Sequence, residues 1–493
     1  MKKPLGQVAG RGVVLLGMSQ AAQVACTMLS TIIVARLLSP SDYGVIAMTA
    51  PIAGFILIFQ NLGLNQAVVQ SKTITAEQTN ALFWYNMAAS AAIGAVFIAL
   101  SPLVGWFYDD NRPTGVMAAY AVSVLISGSM LQHTALMNRE MRYGALSLVS
   151  ITNAVSTTIF TVALAFLWKS YWALFVGSLC GVTVSCAAAW YMNPWRPTLT
   201  INTRNTRGLL SVGMNVSAFN LLNFLSRNAD NVMIAKFWGA QQLGLYDRSY
   251  KLMMLPLQNI NSPLSRVMLP SLSRVSDDPA RYRRVYTSAI RALSLFSIPG
   301  VIVGAICSYE VVTLLLGNSW AGAADIFFWL SLAAIAQPIG NATGWLFISS
   351  GRSSSMMKWG LVAAPMTLIS FAAGLPWGAT GVAAAYFISQ GVRLPILFVW
   401  CTRSTPVRAS DLYLSFVPGL VGGGLSYAVA IVIRGTVPNL ALVTIITVCC
   451  YSFSIAVQAL TPGGRRELRD LFGLVRGALS FRLRQVPSTG LAK

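Results

Sequence analysis

A chain of 493 residues that is 55% hydrophobic and only 10% charged, with a formal charge of +21, lies outside the composition of soluble proteins and reads as a polytopic membrane protein. Apolar runs of about 20 residues recur from end to end and leave no room for a soluble catalytic domain. No basic segment is interleaved with aromatic residues, so nucleic acid is excluded as a partner and the positive charge is assigned to loops at a membrane surface.

The first 26 residues imitate a signal peptide, but the apolar run continues through "TMLSTIIVARLL", long enough to span rather than be cleaved. Span-length windows then place helices at 13–37, 43–68, 79–102, 114–137, 144–168, 171–192, 209–237, 243–271, 286–308, 323–349, 356–374, 378–401, 412–433 and 439–460. The expected fold is therefore all-α, with about fourteen transmembrane helices. Lys72, Arg139, Arg142, Arg196, Arg204, Arg207, Arg274, Arg281, Arg283, Arg284, Arg352, Lys358, Arg403 and Arg408 fall in loops on one side, with the basic termini. The opposite loops hold Arg36, Arg112, Lys169, Lys236 and Arg434, so both termini are expected in the cytoplasm. The tail from Arg465 to Gln485 alternates leucines with basic residues near helical spacing and is expected to lie on the headgroups. The seven cysteines (Cys26, Cys180, Cys186, Cys307, Cys401, Cys449 and Cys450) sit in apolar runs without ligand spacing and read as packing residues. Neither a metal nor a cofactor is expected.

Several helices carry charges that a lipid-facing surface would not tolerate. Arg227 and Asp230 stand three apart, and Asp247 and Lys251 four apart, so each pair can meet within its helix. Arg248, Arg266, Arg291 and Arg393 lack an acid at such spacing. An unpaired charge at mid-membrane costs roughly 2.5–3.5 kcal/mol on insertion scales, so this set is expected to face an interior, water-filled cavity. An excess of guanidinium there suits a substrate carrying phosphate. Helix bracing and snorkelling remain open alternatives, for Lys236 and Arg266 above all. Pro256, Pro263 and Pro270, seven apart, are expected to kink the eighth helix, either as a flexing element or as fixed packing. His133 reads as a packed polar residue.

Short matches also recur in order. Gly12–Met18 answers Gly208–Met214; "ARLLSPSDYG" (Ala35–Gly44) answers "AKFWGAQQLG" (Ala235–Gly244); "MRYG" (Met141–Gly144) answers "MKWG" (Met357–Gly360). Ala173, Gly181 and Trp190 answer Ala383, Gly391 and Trp400. These argue for two six-helix halves in one orientation, at 1–197 and 198–402, followed by two helices at 403–461 and the tail at 462–493.

The run Ser226–Val275, with "ARLLSPSDYG", resembles the Wzx-type polysaccharide flippases, in the branch serving colanic and teichuronic acids, within the multidrug/oligosaccharidyl-lipid/polysaccharide exporter superfamily. The resemblance implies two six-helix lobes in a V plus two peripheral helices. It also implies an undecaprenyl-pyrophosphate-linked oligosaccharide as substrate, moved across the bacterial inner membrane beside a polymerase and export machinery. The chain lacks a phosphate-binding glycine-rich loop, and its short loops lack the carboxylates of a polymerase or glycosyltransferase, so it is not expected to be an enzyme. A cation-coupled drug exporter of the same superfamily is the alternative, kept open by Asp230 and Asp247.

Overall fold

The computed structural model describes residues 5–60, 75–198 and 207–460 and four positions of the tail, 464, 465, 468 and 469. The side chains of 5–14, 55–60, 207–227, 259–260 and 262–263 lie outside the described set, as do the loop holding Lys72 and most of the basic tail. The elements are α1 (Leu5–Ala35), α2 (Pro40–Gln60), α3 (Ala76–Tyr108), α4 (Arg112–Arg139), α5 (Tyr143–Trp168) and α6 (Trp172–Met192). They continue as α7 (Arg207–Arg274), α8 (Pro279–Ile306), α9 (Ser308–Leu316), α10 (Ala323–Ala334), α11 (Gln337–Ser349) and α12 (Ser353–Gly374). The last are α13 (Gly378–Thr402), α14 (Ala409–Leu414), α15 (Val417–Ile433) and α16 (Asn439–Leu460). No strand occurs among the described residues, and each expected span coincides with a helix, a pair of helices or the described part of one. Ten helical segments of the described chain are apolar and long enough to cross a membrane, and the chain is a multi-pass membrane protein.

Three features differ from the hydropathy pattern. The expected seventh and eighth spans run on as α7, interrupted at Gly239, whose φ of 74° and ψ of −174° suit glycine alone. The tenth span is broken between α10 and α11, and the thirteenth between α14 and α15. Pro256, Pro263 and Pro270 all lie within the helical run of α7, and its departure from helical φ/ψ falls at Gly239.

The chain divides into two compact units: Met1–Arg248 with Leu315–Ala323 and Phe371–Val382, and Ser249–Leu314 with Ala324–Ser370 and Ala383–Lys493. In the first, α6 buries Ala173, Gly177, Gly181, Ser185 and Ala189, a stripe of small residues every fourth position. A Cβ at Gly177 would lie 2.6 Å from the Thr161 Cα, and one at Gly181 1.9 Å from the Thr157 Oγ1 of α5. Asn153 Nδ2 donates to Ser185 Oγ at 3.1 Å across the same seam. Lipid tails are as apolar as the side chains, so close backbone approach and such hydrogen bonds hold spans together where a hydrophobic driving force cannot. In the second unit α15 does the same with Gly419, Gly422 and Gly423. Gly419 packs on Ile298, Gly423 on Ile302 and Gly422 on Ser454 of α16.

The α5–α6 and α12–α13 hairpins end alike. Met141, with φ of 55°, precedes Arg142, whose Nη2 donates to the Met192 carbonyl at 2.8 Å. Gly351, with φ of 69°, precedes Arg352, whose guanidinium donates to the carbonyls of Trp400, Cys401 and Arg403. Arg142 therefore corresponds to Arg352, at the same separation as Trp190 and Trp400, whereas "MKWG" lies inside α12. The register of that one match shifts accordingly.

The α5–α6 seam is directly testable. Gly177→Ala forces a methyl against Thr161 backbone, which no rotamer relieves, and should cost about 1–3 kcal/mol. Gly144→Ala, where nothing lies within 4 Å, should be neutral. Thermal unfolding of the two purified variants in detergent checks the contrast, and equal melting temperatures would dissolve it.

Candidate functional site

The basic-poor ends of the helices in the first unit converge through backbone contacts. At the start of α2, Asp42 Oδ2 accepts from Ser39 N at 3.0 Å and Ser39 Oγ at 2.6 Å, while Asp42 N donates to Ser39 Oγ at 3.3 Å. This reciprocal cap lets Pro40 open the helix. Asp42 Oδ1 also accepts from Tyr171 N at 3.2 Å, tying α2 to the start of α6. Arg112 bridges Asp110 at 2.7 Å and Ser41 Oγ at 2.9 Å, and its guanidinium holds the Asp110 carboxyl below the usual carboxylate range. Trp320, fully buried, donates its Nε1 to the Ala35 carbonyl at 2.7 Å.

The break at Gly239 restarts α7 at Ala240, and this restart meets α2. A Cβ on Gly44 would lie 1.7 Å from the Ala240 carbonyl oxygen, and a Cβ on Gly244 would lie 1.8 Å from the Pro40 carbonyl oxygen. The two contacts are reciprocal: Pro40 and Gly44 stand to Ala240 and Gly244 as equivalent positions of the matched segments. Only glycine allows either approach.

Charges surround this crossing. Arg248 pairs with Asp247, its Nη2 at 2.8 Å and its Nε at 3.1 Å from Oδ2, and its guanidinium carbon lies 4.4 Å from the centre of the Tyr43 ring. Asp230 is buried and accepts from the Tyr246 hydroxyl at 2.9 Å and from Asn231 N at 2.8 Å. Lys236 donates to Asp109 Oδ2 at 2.6 Å and lies 5.5 Å from the Phe107 ring centre. Trp238 Nε1 donates to the Leu375 carbonyl at 2.8 Å. Thus Arg248 does have an acid beside it, its sequence neighbour, which i to i+4 spacing rules do not consider. Asp109, an exposed residue at the end of α3, is the ion-pair partner of Lys236. The Arg227 side chain lies outside the described residues.

The remaining singled-out residues belong to the second unit. Lys251 and Arg266 are exposed, and Pro256 and Pro270 are exposed on the same helix, while the Pro263 side chain lies outside the described set. Arg291 is half-buried and close enough to Asp411 to act on it electrostatically. Arg393 is half-buried and donates to Thr367 Oγ1. The structure therefore brings Asp230, Asp247 and Arg248 together with Tyr43, Tyr246 and Trp320. Tyr43 stands inside "SPSDYG", the repeated segment, but a tyrosine near a span end reads as an interfacial residue until its partner is known.

The profile of the family described as "Polysaccharide biosynthesis protein" matches residues 33–325, which include both matched segments and the α2–α7 crossing. The chain belongs to this family. Its relatives include the lipopolysaccharide biosynthesis protein WzxC of Escherichia coli (strain K12), 20% identical over 413 residues, covering 82% of this chain and 84% of that one. The teichuronic acid biosynthesis protein TuaB of Bacillus subtilis (strain 168) is 22% identical over 307 residues, 62% of this chain. The chain spans 64% of the length of TuaB. Among solved structures, the lipid II flippase MurJ in its inward closed conformation superposes with a TM-score of 0.74 at 12% identity, covering 93% of this chain and 100% of that one. The family member thus has a MurJ-like fold.

If the α2–α7 crossing closes one side of the fold, Gly44→Ala and Gly244→Ala must each push the helix ends apart. Spin labels at Ser41 and Gln241, read by pulsed electron resonance, should show a longer distance in both variants than in the parent. An unchanged distance in both would mean that the crossing accommodates a Cβ and does not control that end.

Proposed function

We propose that the chain is a flippase that moves undecaprenyl-pyrophosphate-linked oligosaccharide repeat units across the bacterial inner membrane, for exopolysaccharide or lipopolysaccharide synthesis, by alternating access. The observation that carries this reading is family membership over residues 33–325 on a transporter fold. Relatives named for lipopolysaccharide and teichuronic acid biosynthesis support a lipid-linked glycan as cargo. The role is transport, not catalysis, beside a separate polymerase and export machinery.

In this reading the halves 1–197 and 198–402 form the two lobes, residues 403–461 add two helices, and the tail at 462–493 lies on the inner leaflet. The distribution of Lys and Arg over the loops supports cytoplasmic termini and, with them, a periplasmic position for the α2–α7 crossing. Arg227, Arg291 and Arg393, with Arg266 and Lys251 nearer the basic side, supply positive charge along the substrate's path. Asp230, Asp247, Arg248 and Lys236 supply further charge on the helix that carries the α2–α7 crossing. Closure at the crossing while the basic side admits substrate is one half of an alternating cycle.

Two experiments follow. In an export-deficient host, Arg227→Ala and Arg291→Ala should each reduce polymer export at least about ten-fold while the protein still inserts, and Arg227→Lys should recover part, because a lysine keeps the charge and loses the fork. Full export by both alanine variants at normal expression would remove these residues from the path. For orientation, in a cysteine-free background Asn111→Cys should react with an impermeant thiol reagent added to intact cells, and Thr198→Cys should not. Labelling at 198 from outside would invert the topology.

A further inference from the structure

Helix α13 is two-faced. Ile388 and Val392, 62% and 54% exposed, continue through Ile396 and Val399 as an exposed apolar stripe. The other face carries Tyr386, Ser389, Gln390 and Arg393, spaced 0, 3, 4 and 7 along the helix, and all four are half-buried or buried. A polar stripe of this kind inside a membrane-spanning helix marks a side that meets water or substrate. Gln390 Nε2 donates to the Tyr386 hydroxyl at 3.0 Å, which orders the stripe. Beside it, Trp329 of α10 packs against Phe387 with ring centres 5.8 Å apart.

Arg393 differs from the bracing arginines of the same unit. Arg283 grips both oxygens of Asp411 at 2.8 Å. Arg352 spends its guanidinium on three carbonyls, and Arg434 meets Glu310 at 3.1 Å and the Ile306 carbonyl at 2.6 Å. Arg393 has one neutral acceptor, the Thr367 hydroxyl, which itself donates to the Ala363 carbonyl at 2.8 Å. Its Nε–H is buried and meets no acceptor among the described residues. No carboxylate among them pairs with it. Nor does it snorkel: Thr367 lies nearer than Arg393 to the connection between α12 and α13, so the guanidinium is drawn back along its own helix, away from the nearer end at Thr402.

A guanidinium has five donors in a planar fork, and here most of them are left for a partner that the described chain does not supply. We propose that Arg393, steered by Thr367 and flanked by Gln390 and Tyr386, is an oxyanion site for the transported substrate. The anion is either the lipid-linked phosphate or a carboxylate on the sugar. The proposal rests on the flippase reading and deepens it by naming one contact and its chemistry. Thr367 is a positioning residue, holding one arm of the fork so that the other is left for the anion.

The test is binding to the full-length purified chain in lipid nanodiscs, with three probes: undecaprenyl phosphate, the neutral alcohol undecaprenol, and a lipid-free oligosaccharide containing glucuronic acid. Wild type should bind one anionic probe at least about ten-fold more tightly than undecaprenol, as expected for a charge-assisted contact. Preference for undecaprenyl phosphate assigns the phosphate, and binding of the lipid-free acid assigns the sugar carboxylate. Arg393→Gln should erase the preference, and Arg393→Lys should retain part of it. Thr367→Val should weaken anion binding while leaving undecaprenol binding unchanged, a pattern that a purely structural role would not give. If wild type shows no anion preference, or if Arg393→Gln binds the anionic probes as wild type does with an unchanged melting temperature, the site is wrong. Those outcomes leave export by the wild-type chain intact, whereas a wild-type chain that restores no export in a flippase-deficient host would sink the functional reading itself.

Discussion

Close backbone approach at small residues is the constraint on which this fold depends. A bilayer gives no reward for burying one apolar side chain against another, because lipid already solvates it. What remains is contact density and hydrogen bonding, and both need helices whose backbones nearly touch. Gly177 and Gly181 supply this between α5 and α6, Gly419, Gly422 and Gly423 supply it around α15, and Gly44 and Gly244 supply it where α2 meets the restart of α7. The last pair differs in kind. Its nearest neighbours are carbonyl oxygens, at 1.7 Å from a Cβ on Gly44 and 1.8 Å from one on Gly244, so the approach has no slack.

The charges follow from the same economy of space. Where helices are pressed together, a charged side chain either finds a partner or pulls the packing open, and breaking a buried pair leaves an uncompensated charge that costs about 3–5 kcal/mol. Asp247 with Arg248, and Asp411 with Arg283, are resolved locally. Asp230 is met by a hydroxyl and a backbone N–H. These interactions stabilise one arrangement of helices. Arg393, by contrast, is held by the Thr367 hydroxyl and meets no carboxylate among the described residues, which is the ground for proposing it as a binding group rather than a brace.

Hydropathy located the spans well because insertion into lipid is a property of each segment alone. It could not see the breaks between α10 and α11 or between α14 and α15, because a short interruption at membrane depth is tolerated where neighbours meet the freed backbone groups. The charges were visible as intramembrane residues, but their partners were not. Lys236 finds Asp109 from 127 positions away, and Arg248 finds the ring of Tyr43, contacts that no spacing rule encodes. The repeat was legible in part. Ala173 and Ala383 are both fully buried, as their matching predicts, yet Gly181 packs on Thr157 while Gly391 has nothing within 4 Å. A matched glycine therefore shares a position without sharing a contact. The arginines that cap the hairpins escaped notice because Met141 and Gly351 reach the same left-handed turn with different side chains.

The two turns that lead into the crossing show why such halves drift apart in sequence while keeping their geometry. In the first half, the chain leaves α1 and enters α2 through a side-chain cap: Ser39 and Asp42 satisfy each other's backbone and side-chain groups, and Pro40 supplies a helical φ in advance. In the second half, the equivalent of Ser39 is Gly239, which has no side chain to cap with and instead turns by adopting backbone angles closed to other residues. One turn is enforced by hydrogen bonds and the other by conformational freedom. Both deliver the next helix with its fourth residue beyond the start, Gly44 or Gly244, against the opposing carbonyl. Two independent physical devices thus reach one backbone path at the turns, while the glycines at the contact admit no substitute, because nothing larger than hydrogen fits between a Cα and a carbonyl oxygen at that distance.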